Sequence, residues 1–120
     1  MIRKLFYLSF SVLVFAPTLS AQQAKLDSLN KVLLQNNLPD SVRIHSLNKL
    51  ATLSGRTNKK LADSLYNQSI TLARGSKNLY GEIRALVGLA KFKQENGNYA
   101  ASRESLEQAF QLTQKIVSQT

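Results

Sequence analysis

The chain has 120 residues, enough for one domain and no more. It contains no Cys and no Trp, which excludes a disulfide framework and a thiolate metal site. Formal net charge is +9; setting aside Arg3 and Lys4, 14 of the 16 Lys/Arg face seven Asp/Glu, leaving +7 from Gln22 onward. No basic run exceeds the pair Lys59-Lys60, so the excess reads as a solvated surface rather than the clustered footprint of a nucleic-acid binder.

Residues 1–21 have the layout of a secretory signal peptide. Met1 to Lys4 is a basic start, Leu5 to Ala16 is uncharged and apolar except for two serines, and Leu19-Ser20-Ala21 follows Pro17. The apolar run is shorter than the roughly 20 residues of a membrane span. The remaining chain is expected to be exported, periplasmic or extracellular, with no span of its own.

From Gln22 the apolar residues recur at three- and four-residue steps, which predicts an all-α fold. A leading segment, 22–37, carries Leu26, Leu29, Val32 and Leu33 on one face of a helix. Asn36-Asn37-Leu38-Pro39 ends it, because a residue before proline is pushed out of helical dihedrals. Asp40 or Ser41 is expected to cap the next helix, which presents Ile44, Leu47, Leu50, Ala51 and Leu53 and stops at Ser54-Gly55. A third helix, from about residue 58 to 73, presents Leu61, Ala62, Leu65, Tyr66, Ile70 and Leu72, and Gly75-Ser76 breaks it. A fourth, Leu79 to Glu95, presents Ile83, Leu86, Val87, Leu89, Ala90 and Phe92. Asn96-Gly97 closes it, with Gly97 suited to a left-handed cap. The fifth begins at Asn98 and presents Tyr99, Leu106, Ala109, Phe110, Leu112 and Ile116.

The segments repeat. Leu47, Leu50, Ala51 and Leu53 correspond to Leu86, Leu89, Ala90 and Phe92 at an offset of 39. Beyond the turn the offset is 40: Ala62, Tyr66, Ser69, Ile70 and Leu72 correspond to Ser102, Leu106, Ala109, Phe110 and Leu112. Two helix-turn-helix units, about 40–75 and 79–118, therefore follow the leading helix. Small residues (Ala51, Ala62, Ala90, Ala109) mark close helix approach, and large ones fill the gaps between pairs. Such units bury their apolar faces by stacking.

Leu86-x-x-Leu89-Ala90, Gly97-Asn98-Tyr99, Ser102, Leu106, Ala109 and Leu112 resemble a tetratricopeptide repeat. The resemblance implies an α-solenoid of antiparallel helix pairs that binds proteins or peptides. The offset of 39–40 exceeds the usual 34, and Ser102 stands where that repeat usually has alanine. The wider order, from the leader through Leu26-Asp27-Ser28-Leu29, Pro39-Asp40-Ser41 and Ser69-Ile70-x-Leu72-Ala73-Arg74, resembles the N-terminal periplasmic region of tetratricopeptide-repeat signalling proteins of Bacteroidetes-type bacteria. That resemblance implies a sensing or interaction role. The chain carries neither the kinase nor the DNA-binding effector of those proteins.

Chemistry-bearing constellations are sparse. His45 is the single histidine and has no ligand set around it. Glu104 and Glu107 share a helix face beside Arg103, as a solvated surface does. No Gly-x-Ser-x-Gly and no phosphate loop is present. The sequence predicts no enzyme, no catalytic residue, no metal and no cofactor. The aromatics Tyr66, Tyr80, Phe92, Tyr99 and Phe110 fall at packing intervals and read as core, not as a stacking platform for nucleic acid. The expected binding surface is a groove along the first helix of each unit: His45, Asn48, Thr52 and Arg56, then Arg84, Val87, Lys91 and Gln94. These are mainly basic and suit an acidic or C-terminal peptide. The alternatives are self-association through an unpaired C-terminal face, for which Ile116 and Val117 are the expected residues, and the truncated sensor region of a larger two-component protein.

Overall fold

The structure, a computed structural model, describes residues 20–120. The expected leader lies outside these residues except for its last two positions, which are already helical. The described chain is all-helical, with no strand among the described residues. Helix α1 (20–33) is followed by α2 (Asp40–Ser54), α3 (Lys59–Gly75), α4 (Leu79–Glu95) and α5 (Tyr99–Ser118). None of these helices is long and apolar enough to cross a membrane.

Three of the four inter-helix turns end on an asparagine. Asn58, Asn78 and Asn98 each accept a bond from the backbone N–H three residues on, at 3.1, 2.9 and 3.3 Å. Each satisfies one of the orphan donors of a helix N-terminus. The α2 start differs from expectation. Pro39 holds the cap position without a side-chain bond, and Asp40 is already the first helical residue. Neither Asp40 nor Ser41 caps the helix; an acid in the first turn instead complements the helix dipole. The α3–α4 turn also differs. The left-handed residue is Lys77 at φ 57°, whereas Gly75 stays helical. In the next turn Gly97 takes that role at φ +81°, as its sequence suggests.

The helices pack in chain order: α2 on α3, α3 on α4 and α4 on α5, with α2 also touching α4. Side chains of fully buried alanines, Ala51, Ala62 and Ala85, sit at these crossings and let the backbones approach. Leu47, Leu50, Leu65, Tyr66, Ile70, Leu86, Leu89 and Phe92 fill the core between them. The rings of Tyr66 and Phe92 meet at 6.0 Å between centroids, tilted by 41°. Leu26, Leu29 and Leu33 lay α1 against this core. Its C-terminal end is held by Arg43, whose guanidinium donates to the carbonyls of Leu33 at 3.0 Å and Gln35 at 2.8 Å. Arg74 ties α3 to α4 and α5 together, donating to Glu82 Oε1 and Gln108 Oε1, both at 3.0 Å. Lys93 of α4 pairs with Asp63 of α3 at 2.8 Å.

The burial of the aromatics corrects the sequence reading. Tyr66 and Phe92 are core, but Tyr80, Tyr99 and Phe110 are 70, 69 and 63% exposed. Leu106, expected to fill a gap between pairs, is half-exposed, and so is Leu61. The residues of α5 that meet α4 are small instead: Ser102, Ser105 and Ala109 are buried there.

Candidate functional site: a basic groove across three helices

A groove of about 890 Å3 runs between α1, α2 and α4, with Tyr66 of α3 in its floor. Helix periodicity determines which side chains reach it. On α2, Ser41, His45, Lys49 and Thr52 recur every three or four residues and line one wall. On α4, Tyr80, Arg84 and Gly88 do the same from the facing wall. Lys25 and Ser28 of α1 close the third side. The groove continues into a smaller stretch that shares Thr52, Tyr66 and Gly88 and adds Arg56, Lys91 and Glu95.

Gly88 decides the shape of the floor. A Cβ at this position would stand 2.7 Å from Tyr66 Cε1, inside van der Waals contact. Only a glycine lets the ring lie under α4 and bring its hydroxyl to the groove. There the bonding can be assigned. Thr52 Oγ1 lies 2.9 Å from the Asn48 carbonyl, which can only accept, so the threonine proton is used there. Tyr66 Oη, 3.0 Å from Thr52 Oγ1, is therefore the donor of that second bond. The phenol oxygen keeps acceptor capacity. Asn48 is half-buried beside it, its Oδ1 turned inward without a hydrogen-bond partner among the described residues.

The electrostatics are one-sided. Lys25, Lys49 and Arg84 border the main groove without an acid in its lining. Arg56 and Lys91 extend the charge, with Glu95 as the one acid lining the smaller stretch. The two ion pairs among the described residues, Arg74–Glu82 and Lys93–Asp63, involve none of these five cations. Among the described residues the groove cations thus keep their donors for an incoming anion.

Six of the eight sequence-predicted groove residues come together here: His45, Asn48, Thr52, Arg56, Arg84 and Lys91. Two do not. Val87 is exposed but lies off the groove face, and Gln94 borders a different depression with Tyr99 and Phe110. The sequence reading missed Lys49 and Tyr80, although each lies four residues from a predicted neighbour, His45 and Arg84. It also missed Lys25 and Ser28, because the leading helix was not expected to reach the groove. Among the described residues no group of three or more acidic or histidine side chains is placed to hold a metal ion.

Compared with protein-family models, with curated proteins and with solved structures, the chain finds no match.

Proposed function

We propose that the chain is an exported protein–protein interaction module of the tetratricopeptide-repeat type, and that its basic groove holds an extended acidic segment of a partner. The observation that carries this reading is the row of cations, Lys25, Lys49, Arg56, Arg84 and Lys91, that make no ion pair among the described residues and surround a groove with the Tyr66 hydroxyl in its floor. The length suits a peptide. From Ser41 to Ser54 the α2 wall spans about 20 Å at 1.5 Å per residue, room for about six residues of extended chain. Tyr66 Oη offers an acceptor to a peptide N–H, while the cations select acidic side chains or a terminal carboxylate. The packing of the helices in chain order and the self-similarity of the two units support the repeat class.

The test is fluorescence anisotropy with a labelled acidic octapeptide and its Gln/Asn counterpart. The acidic peptide should bind, weaken as salt rises, and lose about tenfold in affinity with Arg84→Ala or Lys91→Ala. Equal binding of both peptides, or no effect of either substitution, would remove the reading. Cell fractionation with an antibody to residues 22–120 checks export: the protein is expected in the envelope fraction, and a cytoplasmic pool would contradict it.

A further inference from the structure

Four apolar side chains of α5 stand in solvent: Tyr99, Leu106, Phe110 and Val117, exposed by 69, 47, 63 and 66%. Their steps of seven, four and seven residues keep them within about 20° of one line along the helix. Helix α3 shows what that side of a second helix does in this fold. Its Tyr66 and Ile70, 40 residues before Leu106 and Phe110, are buried at 4 and 6% because α4 packs there. On α5 the equivalent side meets no helix among the described residues.

We propose that this stripe pairs with the same stripe of a second copy, as an antiparallel α5–α5 contact about a two-fold axis. The spacing is symmetric about Gln108: Leu106 and Phe110 lie two residues from it, Tyr99 and Val117 nine. An antiparallel copy therefore meets the stripe in register. Tyr99 falls opposite the second Val117, and Leu106 opposite the second Phe110. Every level then sets an aromatic against an aliphatic side chain, the large-against-small alternation that fills a helix interface, and the contact is self-complementary as a two-fold axis requires. The charges agree. Arg103 and Glu107 border the stripe on one flank, so the paired edge carries two of each sign and no net charge. The area is sufficient for a weak dimer. With roughly 200 Å2 for each aromatic and somewhat less for Leu and Val, the stripe presents about 450 Å2, hence about 900 Å2 for two copies. Arg103, Glu107 and Gln114 bring the total past the roughly 1,000 Å2 that separates specific contacts from incidental ones.

This proposal is independent of the groove, which lies on other helices. Sedimentation equilibrium of the purified chain should show mass rising from one chain to two across the micromolar to sub-millimolar range. Phe110→Asp and Leu106→Asp should each raise the dissociation constant about a hundredfold, because each change strikes the interface twice. Helicity by circular dichroism and acidic-peptide binding should stay unchanged in both. The register has its own test, since the chain has no cysteine. Leu106→Cys mixed with Phe110→Cys should oxidise to the mixed disulfide in preference to either homodisulfide. A monomer at every concentration, a dimer indifferent to both Asp variants, or statistical cross-linking would overturn the proposal.

Discussion

Replacing Gly88 by alanine sets two effects of opposite sign against each other. In the middle of a helix the change should stabilise by about 1 kcal/mol, through helix propensity alone. In this helix the new methyl would stand 2.7 Å from Tyr66 Cε1, 3.3 Å from Cζ and 3.4 Å from Oη. Carbon atoms pack at about 3.5–4.0 Å, so the ring must move by roughly 1 Å. It has little room to do so. Tyr66 is only 4% exposed, lies against Phe92, and is held by Thr52 at 3.0 Å. Overpacking of this kind costs about 1–3 kcal/mol, and losing the Tyr66–Thr52 bond adds about 1. The clash wins, and Gly88→Ala is expected to lose about 1–3 kcal/mol net. Urea denaturation followed at the helical circular-dichroism band measures it. A second arm isolates the cause: in a Tyr66→Leu background the same substitution should become neutral or stabilising. If Gly88→Ala alone stabilised by the full propensity gain, the ring would not lie under α4, and the account of the groove floor would fall with it.

Two further substitutions test the turns. Lys77 holds a left-handed conformation that costs a side-chain-bearing residue about 1 kcal/mol, so Lys77→Gly should raise the urea midpoint while Gly97→Ala, at the equivalent turn, lowers it. Among the caps, Asn78 makes the shortest bond at 2.9 Å and Asn98 the longest at 3.3 Å. Asn78→Ala should therefore lose about 1 kcal/mol, and Asn98→Ala less, in the same assay.

The helices were legible because their punctuation is local. The bounds of α4, Leu79–Glu95, and the left-handed Gly97 follow from residues beside them in sequence. Lys77 was not legible, since nothing in its side chain announces φ 57°. That conformation is imposed by the turn, which closes with Asn78 N–H on the Ala73 carbonyl at 2.8 Å. The exposed aromatics show a second limit. Periodicity tells which residues share a helix face but not whether a neighbour covers it. Tyr66 and Leu106 occupy equivalent positions 40 residues apart, yet one is buried and the other half-exposed, because among the described residues α4 packs on α3 while no further helix packs on α5. The groove was legible in part for the same reason. The α2 and α4 rows follow from helical steps, whereas Lys25 joins them only because α1 folds back along α2.

The measurement that tests the central claim most directly is a nuclear magnetic resonance titration of the isotope-labelled protein with the acidic octapeptide. Shift changes should concentrate on the amides of Asn48, Thr52, Tyr66, Arg84 and Gly88 and disappear with Arg84→Ala. Changes that fall on α5 instead, or none at all with the peptide in large excess, would contradict a peptide-binding groove.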